Sequence, residues 1–246
     1  YLNESIDRWG AKSEVMYGMH HWPVWGTERV HEMLSKGRDA YRYINDQTLR
    51  LANHGHTPVE IAELVEFPDS LASHWALREY YGTVKHSVRQ IFTGQLGWFD
   101  GDPTTLDPLP PRDRAARWVA LIGGRESVLA RTQEALADDN SLDQARWAAE
   151  LVSLLVKLDT TDTEARLLKA RALQRLGFAT ENINWRNWYL TAARELEGRY
   201  EGLNASGRDA MSSPDILRTI PAHRLLEMLS IRLAAERSFD KHRCLQ

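Results

Sequence analysis

The sequence has almost no cysteine. Its single thiol, Cys244, lies close to the C-terminal end, so no internal disulfide is possible and cysteine usage does not identify the redox compartment. No apolar run approaches the roughly 18 residues that a membrane-spanning helix needs. The 31 basic and 34 acidic residues nearly balance, which leaves no basic stripe for nucleic acid. We therefore expect no internal disulfide, no membrane span and no nucleic-acid partner.

Glycine and proline are also too few to suggest disorder, at 15 and 9 of the 246 residues. With 43% hydrophobic residues, the chain can bury a substantial core in one large or two smaller domains. Residue 1 is Tyr and no signal peptide is visible, so we expect a piece of a longer protein. A soluble chain is expected, and the compartment is left open between periplasmic, secreted and cytoplasmic.

The first part of the chain is organised around Gly18–Gly26, which reads GMHHWPVWG. It follows a short β-prone run, so His20 and His21 are expected where a strand ends and a loop begins. In α/β folds, ligands bind at such positions. Adjacent imidazoles there can place one ring on a metal and use the other as support. The alternative is a hydrogen-bonded core or loop pair without a metal.

A long helix is predicted to begin at Thr27, whose hydroxyl can cap its first turn. Near its end, His54 and His56 have a spacing that could suit a metal. However, Gly55 is typical of a helix C-cap, and Thr57–Glu60 is typical of a capping box with proline at the first helical position. We therefore interpret both histidines as loop residues.

Beyond a Pro-rich segment at 101–111, which predicts an extended linker, the pattern becomes helical. A break at 159–162 and a helix end at Gly177 predict antiparallel helix pairs of the tetratricopeptide kind, although barely two repeats are present. A third helix carries an aromatic stripe with Trp185 and Trp188, interpreted as core or, alternatively, as contact with a second subunit. The apolar residues at helical spacing are Ala145, Ala148, Ala149, Val152, Leu155 and Val156, then Ala165, Leu168, Ala172 and Leu176.

The segment at 20–26 resembles one in the alkylsulfatases with a metallo-β-lactamase fold, which hydrolyse dodecyl sulfate and related alkyl sulfate esters. Other segments resemble this family in the same order: Asp46–Asn53, Tyr80–His86, Leu96–Gly101, Pro108–Pro111, Arg146–Leu151 and Trp185–Thr191. The resemblance implies a mostly α chain. It would contain the end of an α/β metallo-β-lactamase-type domain at 1–100, the 101–111 linker and a helical, tetratricopeptide-like dimerisation domain at 112–200. Residues 201–246 would hold a linker and the start of a truncated sterol-carrier-like domain.

The resemblance also implies zinc, with two ions bound. The family's His-x-His-x-Asp-His motif is absent from this sequence, so most ligands are expected in an upstream metallo-β-lactamase portion. Here His20 is expected to bind zinc, because it is the first histidine after the strand. His21 is expected to support it or to be a turn residue. Tyr81 is the first choice and His86 the second for the acid that protonates the departing alcohol. The alternative is that both only pack where two domains meet.

The resemblance implies one function, and the helical pattern beyond the linker suggests an alternative. In the first, the chain is the downstream portion of a zinc-dependent alkylsulfatase that hydrolyses alkyl sulfate esters to alcohol and sulfate, and it is not active alone. Its partners would be the upstream portion, the substrate and a second copy bound mainly through residues 112–198. In the second, the chain is a non-catalytic helical dimerisation or assembly module.

Overall fold

A computed structural model of the chain describes residues 1–199, 213–230 and 233–237. Helices dominate these residues, which confirms the predicted mostly helical fold. None of the described helices has the length and hydropathy of a membrane span. The first elements are α1 (Leu2–Ser5), a π-helical turn (Ile6–Gly10), β1 (Val15–Gly18), β2 (His21–Trp25), α2 (Thr27–Asn53), α3 (Pro58–Leu64), α4 (Asp69–Ala72), a 3₁₀ turn (Trp75–Leu77) and α5 (Val84–Leu96).

The segment after β1 is a second strand, which corrects the loop expected from the sequence. β1 and β2 pair antiparallel, with Gly18 opposite His21. His20 therefore lies in the turn of a hairpin, and His21 opens β2. Residues 21–25 can pair because aromatic and β-branched side chains favour strands, and Val24 buries its side chain beneath the hairpin.

The two ends of α2 are set by glycines. Gly26 is the N-cap residue, with a φ of 94° and no side-chain bond to the first turn, so the expected cap by the Thr27 hydroxyl is wrong. Glycine suits this position because other residues rarely adopt a positive φ. At the far end Gly55 has a φ of 88°, and Thr57 and Glu60 form the predicted capping box at the start of α3.

An apolar cluster joins α2, α3 and α5. Its buried members are Ile44, Leu51, Ile61, Ala62, Val65, Val88 and Phe92. Next to this cluster, the hydroxyl of Thr83 accepts a hydrogen bond of 2.9 Å from the backbone N–H of His86 and so caps α5. The cluster and the cap together fix the position where the segment carrying Tyr81 enters α5.

The segment 101–111 is exposed along its length. It leads from α5 to five further helices, which we call the helical layer. Residues 1–197 form one compact unit, so the domain boundaries near 100 and 112 stay predictions. The elements are a 3₁₀ turn (Pro103–Thr105), α6 (Pro111–Ile122), α7 (Arg125–Ala137), α8 (Leu142–Leu158), α9 (Thr163–Ala179) and α10 (Ile183–Leu196).

Within the helical layer, each helix from α7 to α10 packs against the next. Apolar clusters lie between these helices, one around Val128 and Val152 and another around Leu136 and Ala172. Four alanines of the predicted helical spacing, Ala145, Ala148, Ala165 and Ala172, are fully buried. We call the contact zones between successive helices of the layer its seams. Small residues there let helices approach closely and pack to the density of a protein core.

Two expectations for α9 and α10 are wrong. Gly177 does not end α9, which continues to Ala179; it is buried, and a Cβ placed there would lie 2.7 Å from a methyl of Leu190 on α10. The aromatic stripe is not core throughout, because Trp188 is 78% exposed, whereas Trp185 is half-buried. The exposed Trp188 leaves the alternative, contact with a second subunit, as a prediction.

Residues 198–246 form a second unit. Its described elements are α11 (Pro214–Thr219), α12 (Ala222–Ser230) and a 3₁₀ turn (Ala235–Arg237). α11 begins directly after Ser213, whose hydroxyl accepts a hydrogen bond from the backbone N–H of Ile216 and caps the helix. Cys244 lies outside the described residues, as do other parts of the expected sterol-carrier-like segment.

Candidate functional site

The site begins with a contact between two aromatic rings that are far apart in the sequence. The imidazole of His20, in the hairpin turn, stacks on the phenol ring of Tyr81, with ring centroids 3.7 Å apart and ring planes 11° from parallel. Both side chains remain accessible, and Tyr81 is 47% exposed. The structure therefore brings together one predicted metal ligand and the predicted proton donor.

The neighbouring His21 faces different surroundings. It is half-buried at the start of β2, and its ring meets the edge of Trp75 at a centroid distance of 6.0 Å. It also lines a cleft of about 310 Å³, together with Met33 and Leu34 of α2. His20, in the hairpin turn, thus faces Tyr81, whereas His21, the first residue of β2, packs against Trp75.

His86 is separate from this contact. It lies exposed in the first turn of α5, where its backbone N–H is bonded to Thr83. Among the described residues, no ring contact joins it to His20 or Tyr81. The structure thus brings His20 and Tyr81 together and leaves His86 one helical turn away from the Tyr81 segment.

Another histidine lies behind the hairpin, packed against the indole that His21 contacts. His74 stacks on Trp75 at a centroid distance of 6.1 Å, and its side chain is only 8% exposed. Its Nε2 is 3.9 Å from a carboxylate oxygen of Glu32, while its Nδ1 has no hydrogen-bond partner among the described residues. His21, Trp75 and His74 therefore form a continuous row of ring contacts.

The segment that carries Tyr81, residues 78–83, is what we call the Tyr81 loop. Three consecutive carbonyl oxygens of the loop, those of residues 79 to 81, accept hydrogen bonds from residues 182–184. Arg78 forms an ion pair with Glu181 beside these bonds. Sequence patterns could not reveal this contact. Asn182 is recognisable as the N-cap of a helix, but nothing in its spacing indicates a second bond to a distant loop.

The described residues alone do not make a metal centre. They contain no group of three or more His, Cys, Asp or Glu side chains that could hold a metal ion. His54 and His56 flank the glycine that ends α2, which agrees with their interpretation as loop residues. His20 could supply one ligand at most, and a zinc site needs about four.

The clearest charge effect lies away from this site, in the helical layer. The Asp162 carboxylate accepts hydrogen bonds from the Arg125 guanidinium at 2.8 and 2.9 Å and caps α9 through the backbone N–H of Ala165. The hydrogen bonds from Arg125, more than any other contact, hold the pKa of Asp162 below its ordinary value. The arrangement stabilises the layer and offers no chemistry near His20.

Comparison with known proteins gives a consistent picture. The sequence profile of a family described as "alkyl sulfatase dimerisation" matches residues 57–199. A linear primary-alkylsulfatase of a Pseudomonas strain is 47% identical over 243 residues, which is 96% of this chain and 45% of that protein. An alkyl/aryl-sulfatase of Saccharomyces cerevisiae is 37% identical over 241 residues, or 98% of this chain and 36% of that protein.

A solved structure is similar over the same extent. The stereoselective inverting sec-alkylsulfatase of a Pseudomonas species superposes with a TM-score of 0.85 at 34% identity, covering 96% of this chain and 36% of that one. The chain thus spans between about a third and a half of the length of the curated relatives described above. Their names describe proteins that contain much more than the residues found here.

Proposed function

Because the chain belongs to the alkyl sulfatase dimerisation family, we propose that it supplies the dimerising part and one wall of the active site of an alkylsulfatase. The enzyme would hydrolyse alkyl sulfate esters to an alcohol and sulfate. The observation that carries this proposal is the stacking of His20 on Tyr81 at 3.7 Å. These are the first-choice metal ligand and proton donor, and they share one exposed face.

The role proposed for Tyr81 follows from the leaving group. An alkoxide departs poorly near neutral pH, so a positioned acid that protonates the bridging ester oxygen lowers the barrier. The phenol of Tyr81 is a donor of the right kind, held on an accessible face by the stacked imidazole. His86 is the second candidate, reached from the first turn of α5.

Zinc is a proposal for the longer protein. The described residues hold no metal-binding group of their own, so the remaining ligands would come from the upstream metallo-β-lactamase portion. His20 is the candidate ligand in this chain because its imidazole is exposed, whereas His21 packs against Trp75 as a supporting residue.

The helical layer is proposed to form the homodimer. Three of its apolar side chains lie on the surface: Trp118 and Trp147 are each about half exposed, and Leu121 is exposed as well. These three residues line a cleft of about 500 Å³. Tryptophans of this kind are enriched at the centres of protein interfaces, and the layer's own core is complete without them.

The test compares two substrates in the full-length protein. Tyr81→Phe should lower kcat on dodecyl sulfate by about 10²-fold or more, the range expected for a general acid. It should slow 4-nitrophenyl sulfate far less, because that leaving group needs little protonation. His86→Ala should slow both substrates little, and a selective loss there instead would transfer the role to His86.

The same preparations also test the metal proposal. His20→Ala should lower both the zinc content, measured by elemental mass spectrometry, and the rate of sulfate release. His21→Ala should lower zinc content less. If the full-length protein releases no sulfate from any alkyl sulfate while sedimenting as a dimer, the assembly-module function replaces the enzyme.

A further inference from the structure

The start of α10 is bonded to the Tyr81 loop by three hydrogen bonds in a row. The side-chain amide of Asn182 donates to the carbonyl of Glu79 at 3.1 Å, and that of Asn184 donates to the carbonyl of Tyr81 at 2.8 Å. Between them, the backbone N–H of Ile183 donates to the carbonyl of Tyr80 at 2.8 Å. We call residues 182–184 the α10 clamp.

Asn182 anchors the clamp at its helix end. Its side chain is buried, with only 3% of the residue exposed. Its carbonyl oxygen accepts the backbone N–H of Trp185 at 2.9 Å, as an N-cap residue does. The NH₂ group of the same amide is then directed at Glu79, so the cap fixes the orientation of the donor.

The central bond uses a group that the helix cannot satisfy. The first backbone N–H groups of an α-helix have no partner within the helix, and that of Ile183 is directed into the loop. This bond needs no particular side chain. The loop would therefore stay near α10 even without Asn184. The bond from Asn184, in contrast, fixes the backbone of Tyr81 itself.

Tyr81 is thus held from two sides. Its ring stacks on His20, and its backbone carbonyl is fixed by Asn184. We infer that Asn184 is a positioning residue for Tyr81 in sulfate ester hydrolysis, an inference that rests on the proposed function. The helical layer, which contains Asn184, would then take part in the chemistry by aiming the proton donor.

The most informative substitution is Asn184→Asp. The two side chains have the same shape, but an ionised carboxylate cannot donate a hydrogen bond and repels the carbonyl of Tyr81. Residue 184 lies in the first turn of α10, because Asn182 is the N-cap. A negative charge is favourable there, so α10 keeps its stability while the bond to Tyr81 is lost.

In the full-length protein, Asn184→Asp should lower kcat on dodecyl sulfate by about tenfold, because a misplacement of about 1 Å can cost up to ~10²-fold. KM should stay unchanged, and the rate on 4-nitrophenyl sulfate should change little. Hydrogen exchange at the backbone N–H of Ile183 should stay as slow as in the parent protein, since its bond to the carbonyl of Tyr80 needs no side chain, which shows that the loop remains on α10. Asn184→Gln, which keeps an amide donor, should recover part of kcat.

The matched control is Asn187→Asp, one turn further along α10. Asn187 is exposed and makes none of the described side-chain hydrogen bonds, so the same change of charge should leave kcat, KM and exchange as in the parent protein. Unchanged sedimentation of both variants shows that the dimer is intact.

Each outcome decides the inference. Equal slowing of both substrates by Asn184→Asp would show a general structural effect and overturn it. An unchanged kcat in that variant, with active parent protein, would also overturn it and leave the proposed function standing. A parent protein with no alkylsulfatase activity would remove both proposals, and the exchange data would then report only on the fold.

Discussion

The hairpin β1–β2 and the helical layer both expose aromatic rings, but only the layer has a core of its own. In the hairpin, Val24 is the one buried residue of the two strands, and Trp22 is 80% exposed. In the layer, fully buried alanines and two apolar clusters lie between successive helices. A two-stranded hairpin is marginal on its own, whereas packed helix pairs support one another.

The difference assigns separate roles to two sets of exposed rings. The hairpin depends on outside contacts, with α2 beneath it and the ring of Tyr81 against its turn, so its rings suit the proposed upstream portion. The layer needs no such support, so Trp118 and Trp147 are free to meet a second copy. Three substitutions test this division of roles.

The largest effect is expected at Trp147. Trp147→Glu should weaken the homodimer by about 100-fold or more, since burial of an interface tryptophan is typically worth ≥ 2 kcal/mol and a charge there adds a desolvation cost. Sedimentation velocity over a dilution series measures the shift from dimer to monomer. The matched control is Trp22→Glu in the hairpin, which should leave the dimer intact. A dimer lost with Trp22→Glu and kept with Trp147→Glu would reverse the two roles.

The next effect tests whether the layer is held by close helix packing. Gly177→Ala should lower the free energy of unfolding by about 2 kcal/mol, the range for overpacking. The new Cβ would lie 2.8 Å from Cγ of Leu190 and 3.2 Å from Cβ of Tyr189. The Cβ of Tyr189 is fixed by the α10 backbone, so relief of the clash needs another Leu190 rotamer or a separation of the two helices. Urea unfolding of the chain measures the change.

The control for this substitution is Gly94→Ala in α5. Gly94 is exposed, and a Cβ added to it would have no atom within 4 Å beyond its own helix backbone and chain neighbours. Alanine there should raise the free energy of unfolding by about 0.5–1 kcal/mol through helix propensity. A stabilising Gly177→Ala would mean that α9 and α10 are not in close contact at this glycine.

The layer was more predictable than the site because its signal is local. Helical spacing of Ala145 to Leu155 expresses interactions within a few residues of one another, as does the capping box at Thr57 outside the layer. The helix end predicted at Gly177 is wrong because a glycine at a helix end and a glycine at a helix crossing look alike in sequence. The stacking of His20 on Tyr81 and the bond from Asn184 join residues far apart in the chain, so no spacing rule contains them.

The smallest effect concerns the charge contact that joins α7 to α9. Asp162 has two functions in the folded layer, as N-cap of α9 and as acceptor of two bonds from Arg125. Asp162→Asn separates them, because asparagine is as good an N-cap as aspartate but carries no charge for the guanidinium. The Arg125 side chain is 41% exposed, so solvent screens the attraction.

At neutral pH, Asp162→Asn should therefore lower the free energy of unfolding by only about 1 kcal/mol. The bonds from Arg125 hold the folded pKa of Asp162 below its ordinary value of 3.8. The contribution is thus fully present above that value and is lost as the pH falls through the lower folded pKa. Urea unfolding at pH 7 and at a series of pH values below 4 should show the two proteins converging in acid. Asp143→Asn, at a side chain that is 86% exposed, should show almost no difference at any pH. A gap between parent and Asp162→Asn that widens in acid would show that the carboxylate is not stabilised by Arg125, and that the layer rests on its apolar seams alone.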